Sequence, residues 1–184
     1  MYKLKDKIDK KGLIFDPCVG KGSLLLPWKR AGYQIAGIDL EVISDINNND
    51  CFILGNFFNL SENSVKFLAK QFSNLPKEEK NPTLILCNPP FNGMKPKLAP
   101  EVWLDKIIEL FGKEIPLVLF APMGFRLNGK KQSKRWSKFI DNKYPPISSI
   151  ISLPRDIFPE VEFHSEILIF NIKGLQSHYF YEKP

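Results

Sequence analysis

Short apolar runs alternate with amphipathic stretches along the 184-residue chain. Residues 12–15 (GLIF), 34–39 (QIAGID), 51–54 (CFIL), 83–87 (TLILC), 115–120, 148–153 and 167–172 read as seven strands. Between them, 23–31 reads as a helix that Pro27 kinks or shortens. Residues 62–72 place Val65, Phe67, Leu68 and Phe72 at roughly helical spacing. Residues 101–111 form a clear amphipathic helix through Val102, Leu104, Ile107, Ile108 and Phe111. Near-continuous apolar strands are expected where helices cover both faces of a sheet. Strands alternating with helices predict an α/β protein: three layers around a mostly parallel seven-stranded sheet. The chain length predicts a single domain over 1–184, with no separate target-recognition domain. Ligands bind such sheets beyond the carboxyl ends of the strands, so the chemistry is expected just after each run.

The first run is followed by Asp16-Pro17-Cys18-Val19-Gly20-Lys21-Gly22. Two glycines allow a tight turn and a close backbone approach to a ligand. Asp39 ends the second run, nineteen residues beyond Gly20, where a carboxylate can accept both hydroxyl hydrogens of a ribose. A plain tight turn with a strand-end carboxylate accounts for the same residues. Asn88-Pro89-Pro90-Phe91, after the fourth strand, is a sharper signal. Two prolines make a rigid loop, and the Asn88 side-chain and Pro89 backbone carbonyls can then face one planar amino group. Phe91 can stack on a flat ring. The plainer alternative is an Asn-Pro turn closing a strand.

DPCVGKG, GIDLE, LGNFF and NPPF, in this order and spacing, resemble the S-adenosylmethionine-dependent N6-adenine DNA methyltransferases. The resemblance covers roughly residues 12–172 and implies a Rossmann-like class I methyltransferase fold. It implies that Asp16, Gly20 and Gly22 surround the methionine part of the cofactor S-adenosylmethionine, with Pro17 and Cys18 in the same loop. It places Asp39 on the ribose hydroxyls and Leu40 against the adenine ring. Asn56 stands where the family usually has Asp, still able to accept from the cofactor's adenine amine, and Phe57 packs against that ring. Asn88, Pro89, Pro90 and Phe91 become the catalytic loop. The two carbonyls accept the target amine's hydrogens and localise its lone pair for in-line attack on the methyl group, while Phe91 stacks on the flipped base. The late segment SLPRDIFPEVEFHSEILIF resembles the other wall of that pocket, with Phe158, Phe163 and His164 as candidates. Core aromatics and a surface histidine are the alternative. Only eleven residues precede Gly12, so a helix usual in the family before the first strand is expected to be shortened or lost.

Lys and Arg number 26 against 20 Asp and Glu, a net charge of +6. Six of those bases lie close together: Arg126, Lys130, Lys131, Lys134, Arg135 and Lys138, with no acid among them. Arg126, Lys130, Lys131, Lys134 and Arg135 are read as contacts to DNA or RNA phosphates, a solvated basic face being the alternative. Trp136 can stack on a base or anchor the helix that follows, and the anchor is the preferred reading. The cysteines Cys18, Cys51 and Cys87 offer no zinc spacing, so no metal is expected, and they read as reduced thiols of a cytoplasmic protein. His164 and His178 lack a triad neighbour. No apolar run approaches the ~18 residues of a membrane span. The predicted activity is methyl transfer to adenine N6 in DNA, with specificity from loops, a partner or a second copy. RNA, a protein glutamine amide, or binding without catalysis are the rival readings.

Overall fold

The computed structural model describes residues 3–41, 51–61, 63–64, 81–90, 97–127, 130, 132–158 and 163–182. Eight strands form one sheet: β1 (Leu13–Asp16), β2 (Gln34–Asp39), β3 (Cys51–Leu54), β4 (Leu84–Cys87), β5 (Leu117–Pro122), β6 (Ile147–Ser152), β7 (Ser165–Phe170) and β8 (His178–Phe180). Their order is β3-β2-β1-β4-β5-β7-β6-β8. Only β7 runs against its neighbours, β5 and β6.

Each central strand feeds two cores by simple alternation. Leu13, Phe15, Ala36, Ile38, Ile85, Cys87, Leu117, Leu119, Leu168 and Phe170 face one core. Ile14, Ile35, Leu84, Leu86, Val118 and Ile169 face the other. The first core is closed by α2 (Ala99–Phe111) through Trp103, Leu104, Ile107, Leu110 and Phe111. The second is closed by Trp28 of α1 (Leu26–Arg30), by Leu25, and by Leu4 and Ile8 around a single 3-10 turn, Lys5–Lys7. The expected three layers are therefore present. After β5 come the one-turn helix α3 (Gly124–Leu127) and α4 (Lys134–Ile140).

Several boundaries differ from the expected ones for local reasons. α1 begins at Leu26, not at 23, because Pro27 sits in the first turn, where a missing N–H breaks no helical bond. α2 begins two residues early, with Pro100 in its first turn. β7 begins two residues early, at Ser165 and Glu166, two buried polar residues that interrupt the apolar pattern. The sheet has an eighth strand: β8 adds to the edge of β6 by backbone pairing of a largely exposed segment without an apolar run. Most of the helix expected over 62–72, Phe91, the 91–96 loop and Lys131 lie outside the described residues. Among those described, no helix is long and apolar enough to cross a membrane.

Candidate active site

The strand order reverses between β1 and β4, and this switch point is where a doubly wound sheet opens a crevice beyond its strand ends. Asp16 closes β1 and Asn88 follows β4 directly. Gly20 and Gly22 take φ of 53° and 76°, the left-handed region that glycine tolerates. The loop they form lies on β2: Val19 N–H donates to the Ile38 carbonyl at 3.3 Å. Gly37 makes that approach possible, since a Cβ there would collide with Val19 Cγ2 and stand 2.7 Å from the Asp16 carbonyl.

Asp39 locks the loop from the other side. Its Oδ2 accepts from Gly20 N–H at 2.7 Å and its Oδ1 from Glu41 N–H at 3.2 Å. Leu40 beside it is 70% exposed, and Leu54, opposite Asp39 on β3, is 64% exposed. Two large apolar side chains thus stand open at the carboxyl edge next to a carboxylate. Asn56 is exposed and its Oδ1 accepts from Phe58 N–H at 3.0 Å, capping the 3-10 turn Phe57–Asn59. Phe57 is buried, its ring 6.5 Å from Phe15 and 5.7 Å from Phe58.

Asp16 is buried, with Oδ1 accepting from Cys18 N–H at 2.9 Å and Oδ2 unpartnered. Burial pushes its carboxyl up to about 7, the Cys18 hydrogen bonds work against that, and the Asp39 charge adds to it. Pro17 is buried as well. Cys18 bridges the crevice: its sulfur lies 3.8 Å from Cys87 Sγ at the end of β4. Burial raises the Cys87 thiol, and the Cys87 hydrogen bond followed by burial raises Cys18. Both thiols stay protonated at neutral pH, so neither is poised as a nucleophile. This thiol contact, which the sequence pattern did not announce, holds the glycine loop against the start of the Asn88 loop. Asn88 Oδ1 is buried and unpartnered, Pro89 is buried and Pro90 exposed.

Phe158 and Phe163 stack in parallel, centroids 5.9 Å apart at 5°. His164 is exposed, and its carbonyl accepts from Met123 N–H at 3.0 Å. The basic run divides. Arg126 Nε donates to Glu166 Oε1 at 2.8 Å, and Arg135 reaches Glu101 and the Gly124 carbonyl at 3.4 Å. Lys130 and Lys134 are exposed. Trp136 is exposed rather than an anchor; Phe139 does the anchoring, packed edge-on to Phe125 and Tyr144.

No family model and no curated protein sequence matches the chain. Solved structures do. One is a modification subunit assigned to a type I restriction enzyme of Vibrio vulnificus YJ016, with TM-score 0.66 and 14% identity over 100% of this chain and 46% of that one. Another is the methyltransferase subunit of a type I restriction-modification system of Streptococcus thermophilus, at 0.64 and 17%, covering 96% and 43%. The chain has the class I methyltransferase fold. A third methyltransferase of that fold, from Burkholderia thailandensis, acts on 1,6-didemethyltoxoflavin and was solved with S-adenosylhomocysteine bound. It matches at 0.53 and 12%, over 89% of this chain and 72% of that one. The chain spans less than half the length of the first two structures.

Proposed function

We propose that the chain transfers a methyl group from S-adenosylmethionine to the N6 amine of adenine in DNA. The observation that carries this reading is the Asn88 side-chain oxygen: buried, without a partner, at the switch point, and followed by two prolines. A buried orphan acceptor costs roughly 1–3 kcal/mol, which a donor arriving with the substrate offsets. Asn88 Oδ1 and the Pro89 carbonyl then accept the two hydrogens of one amine. This favours a pyramidal nitrogen with a localised lone pair, and Phe91 is assigned to stack on the base.

The cofactor side fits by the same reasoning. The unpartnered Asp16 Oδ2 suits a cationic or N–H-bearing group, the Asp39 carboxylate a diol, and exposed Leu40 and Leu54 a flat ring. Asp16, Pro17, Cys18, Gly20 and Gly22 would hold the methionine end; Asp39, Leu40, Asn56 and Phe57 the adenosine end. S-adenosylmethionine supplies an electrophilic methyl on a cationic sulfur. The similarity to type I modification subunits supports DNA as the substrate, and target choice is assigned to a partner subunit or a second copy. Phe158, Phe163 and His164 are assigned to the far wall of the base pocket.

Tritiated-methyl transfer to DNA, RNA and protein in parallel, with digestion of the product, tests the reading. N6-methyladenine from DNA is the expected outcome. Label in glutamine only, or in none of the three despite cofactor binding, overturns it.

A further inference from the structure

The basic run is two sets of residues with different duties. Arg126, Arg135 and Lys138 are committed to the carboxylates of Glu166, Glu101 and Asp105. The side chains of Lys130 and Lys134 make no ion pair or hydrogen bond among the described residues, and both residues are exposed. On α4, Arg135, Lys138 and Phe139 face the protein. The helical step places Trp136 and Ile140 beside one another, off that inward face, and Ile140 is 64% exposed. Trp136 is 36% exposed, whereas Trp28 and Trp103 are at 2% and 8%. The helix carrying it is held firmly: Ser133 Oγ accepts from Trp136 N–H at 3.1 Å, and Lys138 donates to Asp105 at 2.6 Å.

Trp136 and Ile140 together put two exposed apolar side chains on one side of a fixed helix. Residues 126–140 carry six basic side chains and no acidic one. Lysine is depleted in protein–protein interfaces, while aromatic faces among free cations are what single-stranded nucleic acid binds. A base in a duplex already has both faces stacked, so only an unpaired base can offer one to Trp136. We infer that Trp136, on the same segment as the exposed cations Lys130 and Lys134, is a stacking platform for an unpaired base of single-stranded nucleic acid, outside the reaction pocket. The inference rests on the nucleic-acid reading above and adds the form in which the strand is held.

The test uses the whole chain without cofactor and a fluorescein-labelled oligothymidylate, either single-stranded, where it holds no adenine, or paired with oligodeoxyadenylate. Trp136 dominates the quencher-accessible tryptophan emission, so the single strand should shield that emission from acrylamide. Trp136→Ala should weaken single-strand binding about fivefold or more, with less effect on the duplex. Trp136→Phe should recover part of the loss, and circular dichroism confirms that the variants fold. Unchanged single-strand affinity in Trp136→Ala overturns the platform, as does an equal loss for both forms. Self-association of the chain abolished by Trp136→Ala, with oligonucleotide binding intact, reassigns the face to a second copy. Trp136-dependent binding without methyl transfer would leave the platform standing while the enzymatic reading fails.

Discussion

At the scale of single residues, the site is defined by acceptors left without donors. Asp16 combines an unpartnered Oδ2 with a carboxyl raised to about 7 by burial. The unfolded chain releases that proton near the ordinary carboxyl value of 3.8, so the folded state holds it across the interval between. The stability Asp16 contributes is therefore complete below about 3.8 and lost as pH rises to about 7. Asp16→Asn should raise Tm by several degrees at pH 8 and by less at pH 5.5, while weakening S-adenosylmethionine binding. Equal Tm gains at both pH values in calorimetry would contradict the burial of this charge. Asp16, Asp39 and Asn88 were legible as candidates because each stands at the end of an apolar run. That their oxygens would be orphaned or locked by Gly20 was not, because it depends on how three separate loops pack.

At the scale of elements, the charged contact between α2 and α4 does what an apolar seam does elsewhere. Glu101, 4% exposed in the first turn of α2, meets Arg135 and Lys138. Asp105, one turn on, receives Lys138 and the Tyr144 hydroxyl at 2.8 Å. Burial alone would raise the Asp105 carboxyl, but Lys138, Tyr144 and Lys97 outweigh it and hold it below its ordinary range. Its contribution to stability is present above that range and fades as pH falls through it. Glu101→Gln should cost about 2 kcal/mol in urea unfolding, since it leaves two half-buried cations short of a partner. No change would show that solvent already screens the pairs. This seam was not legible in sequence. Arg135 and Lys138 belong to a run that reads as phosphate contacts or, alternatively, a solvated face, and only the fold brings Glu101 opposite them. The strands, by contrast, were nearly all legible, because burial on both faces imposes an unbroken apolar run. β8, an exposed edge strand held by backbone pairing and the Ser152–His178 side-chain hydrogen bond, leaves no such trace.

At the scale of the whole molecule, the sheet sets the working geometry. Order reversal between β1 and β4 opens one crevice, and the glycine loop and the Asn88 loop meet there across the Cys18–Cys87 contact. Lys130 and Lys134, the described members of the basic run whose side chains are left unpaired, lie beyond β5. Replacing both by Ala should lower the salt dependence of DNA binding by about two units of slope without changing stability. Arg135→Ala should instead cost stability. An unaltered slope in the double variant would make those lysines a solvated face. The central claim is that Asn88 holds the target amine, and one comparison tests it most directly: single-turnover methyl transfer to DNA by the unaltered chain and by Asn88→Ala, with S-adenosylmethionine binding followed by calorimetry. The account predicts retained cofactor binding with transfer slowed about a hundredfold or more; transfer at an unchanged rate would contradict it.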